Sequence, residues 1–321
     1  MITKKHIALS LVWFGAVGFA SAQDKSNAED QASNAAKSDN ASAQGQEASA
    51  AKSDNASAKE DSQAAASQAS PIQSAARPYN LTIDAPVQIA GSDAAAKNFQ
   101  TNVLPGMLAM ESKLLPEYKS HSPQNLATFS LDPSKLVLSF DTSARAYFLG
   151  EGAAYQNTLG ISTTDAGPAS PGASLIFPNA SNPLALGGSG KDIRSTSDPL
   201  LPGDFVNLGT LKAGTALDFF LIAYGASGGR DFVSTNQSLN KDGIVHAVAM
   251  AAAGSPYLVI SFEDMIGGGD RDYNDVFFAV DLGKANVARL MGLGAPEPSL
   301  ALGALVAGGA LCGFGRRRRR A

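Results

Sequence analysis

The chain has a single cysteine in 321 residues, and Cys312 lies inside an apolar run near the C-terminus. The portion ahead of it has no thiol and forms no disulfide, so its stability must come from packing, hydrogen bonds or bound ions. Histidine is almost as scarce, at three residues. His6 lies in an N-terminal leader, leaving His121 and His246, too few for a histidine-rich zinc site. Phosphate chemistry lacks its loop as well. Gly187-Gly188-Ser189-Gly190-Lys191-Asp192 has no leading glycine at the required spacing, and Asp192 stands where magnesium needs Ser or Thr. No Gly-x-Ser-x-Gly elbow joins a strand to a helix.

Positive charge is also short. The formal net charge is −4, but Lys4, Lys5 and five C-terminal arginines sit in terminal segments. Between residues 23 and 298, 18 basic residues face 29 acidic ones, a net −11. Such a chain is a poor nucleic-acid binder and a reasonable partner for divalent cations.

What is present begins at the two ends. Lys4, Lys5 and His6 precede an apolar stretch at residues 7–19, and Ala20-Ser21-Ala22 supplies a signal-peptidase site, so residues 1–22 read as a signal peptide and Gln23 as the mature N-terminus. At the other end Pro296-Glu297-Pro298 leads into an apolar run at 300–314, closed by Arg316, Arg317, Arg318, Arg319 and Arg320. The run falls short of the roughly 20 residues that span a bilayer comfortably, which suggests a transient membrane hold with the arginines in the cytoplasm. An ordinary tail anchor is the alternative. The order of these three parts over residues 296–321 resembles the PEP-CTERM sorting signal of Gram-negative bacteria. The resemblance implies recognition by an exosortase, cleavage near Pro296 to Pro298, and an exopolysaccharide-producing, biofilm-forming cell.

Residues 23–77 are Ala, Ser, Gln, Asn, Asp and Lys, with an octet at 35–42 repeated at 50–57. This composition cannot offset the entropy of ordering and reads as a disordered spacer. Residues 78–134 form a leading helical or mixed segment, with one or two helices over 93–119 broken at Pro105-Gly106. Short β-rich runs follow at 136–140, 146–149, 217–221, 244–250, 258–262 and 276–280, divided by Gly, Pro, Asn and Asp. They predict a mainly β domain over 135–283, a sandwich or jelly roll. The Gly/Ser/Pro-rich stretch 163–203 predicts an extended surface loop, and 284–295 a linker.

The most chemically loaded segment is Glu263-Asp264, then Gly267-Gly268-Gly269, then Asp270-Arg271-Asp272-Tyr273-Asn274-Asp275. Asp270, Asp272 and Asn274 place oxygens at alternate positions on a glycine-rich loop, which suits Ca²⁺ with its six to eight oxygen ligands. Asp275 stands where an EF-hand loop requires glycine, and a strand follows, so the ion would sit between strand ends, with Glu263, Asp264 or Glu151 completing the shell. The alternative is a turn in which Asp and Asn bond backbone amides and Arg271 neutralises the charge. The 262–264 and 267–276 blocks resemble domain-of-unknown-function family 4114, with outlying pieces at Asn157-Thr158-Leu159-Gly160, residues 217–225, and Asp242-Gly243 with His246. The resemblance spans roughly 135–283 and implies a β-rich, calcium-associated module of secreted and surface proteins without established activity.

His246, in an apolar strand, reads as hydrogen-bonded and structural. Glu151 and Glu263 could instead face each other as a glycosidase pair. The expected function is thus an exported, non-catalytic surface or matrix protein with a calcium-binding module, processed by signal peptidase and exosortase and associated with extracellular polysaccharide. Alternatives are a secreted carbohydrate-active enzyme and a self-associating structural subunit.

Overall fold

The computed structural model describes residues 73–184 and 192–293. The segments expected to be a signal peptide and a sorting signal, and most of the expected spacer, lie outside the described residues. Residues 73–77 touch the domain: Ser74 Oγ donates to Ala226 O at 2.5 Å and Asn179 N to Gln73 Oε1 at 2.8 Å.

Nine strands run β1 Thr142–Gly150, β2 Thr158–Ser162, β3 Ala173–Phe177, β4 Phe205–Leu211, β5 Asp218–Ile222, β6 Phe232–Ser234, β7 Ala247–Ala251, β8 Tyr257–Phe262 and β9 Val276–Asp281. They form two antiparallel sheets, ordered β4-β1-β9-β8-β7 and β3-β2-β5-β6. Alternation along each strand decides what lies between them. Ala144, Ala146 and Phe148 of β1, with Val276, Phe278 and Val280 of β9, face Leu159, Phe177, Phe219 and Leu221 of the second sheet in one buried core. The Phe219 and Phe278 rings meet at 5.3 Å, and Phe148 and Phe177 at 5.9 Å. The architecture is mainly β, as the sequence predicts, with the few helices gathered near the start of the described chain and at its end.

The intervening residues of β1 and β9, Tyr147, Leu149, Phe277 and Ala279, are apolar too, because a second layer covers the five-stranded sheet's outer face. That cover is the helical run 94–114, whose Phe99 stacks on Tyr147 at 3.8 Å and 8°. The helical run is not broken at Pro105-Gly106. Helix Ala94–Asn98 passes through a π-helical turn, Phe99–Val103, into helix Leu104–Leu114, and Pro105 sits in the first turn of that last helix, where its missing N–H costs nothing.

Three other segments depart from expectation. Residues 284–295 are not simply a linker: helix Gly283–Leu290 buries Val287 in the core between the sheets. Residues 136–140 are not a strand. Leu136 and Leu138 do turn inward and Val137 is 47% exposed, but their partner is the tight turn around Gly214, which offers a single bridge, Val137 to Ala216. Residues 163–203 are not a surface loop throughout: they contain β3, and residues 178–183 are buried.

The sheet margins carry additional bonds. The segment preceding the helical run crosses both sheets on one side, pairing Ile83 with Leu175 beside β3 and Gln88 with Phe205 beside β4. On the other side Leu131 N donates to Ala249 O of β7 at 2.7 Å, and the Asn240 side chain bonds both the amide and the carbonyl of Ser234 on β6.

Candidate metal centre

β8 and β9 are paired neighbours, so the 13-residue connection 263–275 must turn back at the end of the sandwich. Gly267, Gly268 and Gly269 all take positive φ, and Arg271 and Tyr273 follow at 61° and 60°. These non-glycine left-handed residues are held by tertiary bonds: Arg271 O accepts from His121 N at 2.9 Å, and Tyr273 O accepts from Ser261 Oγ. At Gly269 a Cβ would lie 2.0 Å from Glu263 Oε1, so the loop passes directly over that carboxylate.

The folded loop gathers its acids around Glu263, which is 1% exposed. Carboxylate oxygens of Glu263, Asp264 and Asp275 lie within 4.8 Å of one another, as do those of Glu263, Asp270 and Asp272. Two oxygens on opposite sides of one ion at roughly 2.4 Å are about 4.8 Å apart, so each set is compact enough to share a cation of calcium's size. One oxygen of each central acid is anchored by a neutral N–H. Arg271 N donates to Glu263 Oε2 at 2.9 Å, Asn157 Nδ2 to Asp264 Oδ2 at 2.6 Å, and Asp264 N to Asp275 Oδ2 at 2.8 Å. The second oxygen of these three takes no N–H among the described residues. Asp272 is held through Oδ2 by Tyr118 N at 2.8 Å.

Arg271 contributes its backbone amide and not its charge. Its side chain is exposed, and among the described residues no lysine or arginine forms an ion pair with any of the five carboxylates. His246 is committed elsewhere. Its Nδ1 faces Glu263 O at 3.0 Å and its Nε2 faces Asp242 Oδ2 at 2.9 Å. A carbonyl only accepts, so Nδ1 donates to Glu263 O, while Nε2 is engaged with the Asp242 carboxyl. Partial burial works against Asp242's ionisation, yet bonds from Gly267 N and His246 hold its carboxyl at about 2.

Without counter-charge the loop's carboxyls resist ionisation. Burial, reinforced by Asp264 and Glu263, pushes Asp275 up to about 9. Burial and the neighbouring aspartates push Glu263 to about 7, despite the Arg271 amide. Asp264 and Asp272 are raised, chiefly by burial. Asp264 and Asp275 are close enough to share a proton. All donors are oxygens, a set suited to a hard cation; thiolate and imidazole are missing.

Asn274 also braces the loop. Its Nδ2 donates to Glu117 Oε2 at 2.8 Å and to Asp272 Oδ2 at 3.2 Å, tying the loop to the helical layer. Glu151 belongs to neither oxygen set. It is buried at the end of β1, where Asn182 N donates to its Oε2 at 2.9 Å and burial raises it to about 9. Residues that spacing did not point to include Glu117, Tyr118 and Tyr155. With Asp264, Asp270, Asp272 and Asp275 they line an open cleft of about 190 Å³. Glu111, behind it, is raised to about 7 by burial, Asp272 and Glu117.

The fold and this loop define a β-sandwich domain with an acidic cleft at one end, able to hold a metal ion. Residues 211–283 match the model of a family described as "Domain of unknown function (DUF4114)". The match contains residues 217–225, Asp242 to His246 and the whole acidic loop, while Asn157 lies outside it and reaches the loop through the fold. No curated protein and no solved structure matches the chain.

Proposed function

We propose that this is an exported, non-catalytic surface or extracellular-matrix protein whose β-sandwich binds calcium through the 263–275 loop. The observation that carries the reading is Glu263, a buried carboxylate common to two sets of acids that no lysine or arginine pairs with among the described residues. Leaving such groups charged and unpaired is costly, and a divalent cation resolves it. Glu263, Asp264 and Asp275 would hold one ion, with Asp270 and Asp272 sharing Glu263 in a second position. The ion would supply charge neutralisation and fix the β8–β9 connection.

The leader at residues 1–22 supports export, and Pro296-Glu297-Pro298 with Arg316–Arg320 supports sorting by an exosortase, transient hold at the inner membrane and delivery to an exopolysaccharide-rich surface. Among the described residues no helix is long and apolar enough to cross a membrane. The test is thermal unfolding of metal-stripped protein titrated with Ca²⁺, with Mg²⁺ as control. A ligand bound by the folded state alone stabilises by about 2.7 kcal/mol at a hundredfold excess over Kd. A saturable, calcium-selective rise that is lost in Glu263→Gln and weakened in Asp270→Ala is expected. No rise at millimolar calcium would reduce the loop to a structural turn.

A further inference from the structure

The acidic cleft has a second kind of wall. Tyr118 is 68% exposed and held out from a left-handed backbone at φ 58°, and Tyr155 faces it from the loop after β1. Tyr155 does not stand alone. Its ring leans on that of Tyr224, itself 48% exposed, with centroids 4.0 Å apart and planes at 31°. Tyr224 is fixed in turn by its amide, which donates to Asn157 Oδ1, the residue that also anchors Asp264. The rim therefore carries a braced aromatic platform. Below it the stretch 152–154 has no side chain larger than a methyl, which leaves the ring face open toward the carboxylates.

A water-exposed aromatic face beside a row of strong acceptors matches one common chemistry: a sugar ring, with an apolar C–H face and hydroxyl donors at its edge. We propose that the cleft between Tyr118 and Tyr155 is a saccharide-binding subsite for a neutral pyranose unit, stacked on tyrosine and hydrogen-bonded through its hydroxyls to the acidic loop. A cleft of about 190 Å³ has room for about one such ring, so a longer glycan would run on across the open rim.

Charge selects neutral over acidic sugars. Even with two divalent cations on the five loop carboxylates one negative charge is left in excess, and Arg271 of the same loop balances only that one. Glu117 lies in the same cleft wall and Glu111 behind it. A uronic acid would add like charge at this point, which is repulsive whether or not calcium is bound. The subsite rests on the calcium reading for this charge balance alone; the aromatic platform and the acceptors are present without an ion.

The test uses the full chain on a printed glycan array carrying neutral and uronic-acid glycans, in calcium and in EDTA, with retained glycans then titrated by calorimetry. Tyr118→Gly suits the left-handed backbone and Tyr155→Ser removes the platform; thermal unfolding in calcium checks each fold. Neutral glycans should be retained, with affinity about tenfold weaker in either variant and, in Tyr155→Ser, which makes no bond to the loop carboxylates, the calcium-induced rise in Tm unchanged. No retention of any neutral glycan, equal retention by both folded variants, or preference for uronic acids overturns the proposal. Tyrosine-dependent retention without any calcium shift would instead remove the calcium reading and leave the subsite standing, and a calcium shift without retention does the reverse.

Discussion

Calcium binding to this loop should be strongly pH-dependent, because a cation can only be held by carboxylates that have given up their protons. The perturbation is a change from pH 6 to pH 8 at fixed ionic strength. At pH 6 the metal-free loop keeps a proton on Asp275, whose carboxyl is pushed to about 9, and on Glu263, pushed to about 7. Both must leave when an ion enters, so about two protons should be released per site at pH 6 and about one at pH 8. Each proton displaced makes affinity change about tenfold per pH unit while its group remains protonated. Asp275 thus contributes about a hundredfold over this interval and Glu263 about tenfold, for a total of about 10²- to 10³-fold tighter binding at pH 8. Solvent in the open cleft screens the groups and favours the lower figure. Calorimetry in two buffers of different ionisation enthalpy gives affinity and proton release together. Affinities agreeing within about threefold at the two pH values, with no protons released, would refute the reasoning.

Other consequences are open to direct measurement. In EDTA the same carboxyls act on folding: their folded values exceed the ordinary carboxylate range, so the stability they contribute is full below about pH 4 and lost as pH rises through about 7 and 9. The metal-free Tm should fall from pH 5 to pH 9, and saturating calcium should cancel that fall. Gly269→Ala places a methyl 2.0 Å from Glu263 Oε1 while Arg271 N pins the other oxygen. It should weaken calcium binding at least about tenfold in a Tm titration, while costing about 1 kcal/mol without metal. Phe278→Ala opens the core where the two sheets meet and should cost about 3–5 kcal/mol in urea unfolding with calcium affinity of the residual folded fraction unchanged.

The strands easiest to read from sequence, β5, β8 and β9, are runs of branched and aromatic residues bounded by turn formers. Thr158-Leu159-Gly160-Ile161-Ser162 and Ala173-Ser174-Leu175-Ile176-Phe177 also make full strands, yet glycine and small polar residues hide the first, and a Gly/Ser/Pro-rich context hides the second. The apolar alternation of 136–140 was legible, but whether it pairs as a strand depends on a partner about 80 residues away, which local pattern does not contain. The acidic loop declared itself because three glycines and alternating oxygens are a local arrangement. Its supports did not. Asn157 reaches Asp264 across 107 residues and Glu117 reaches Asn274 across 157, contacts that exist only after the sheets have paired and the helical layer has docked. Arg271 shows the limit from the other side: spacing makes it a neutralising cation, while the left-handed backbone turns its side chain outward.

Sheet margins are where most β proteins are vulnerable, since an unpaired strand invites another chain to extend it. Here the leading segment bonds β3 and β4, Leu131 bonds β7 and the Asn240 side chain bonds β6, so each of the four margins is at least partly occupied. A protein finished in this way can be crowded without templating a cross-β fibre. If it takes part in a larger assembly, the cohesion must come from something it holds in common with its neighbours at loop ends, such as a polymer or an ion, and that kind of joint can be undone without unfolding the subunit.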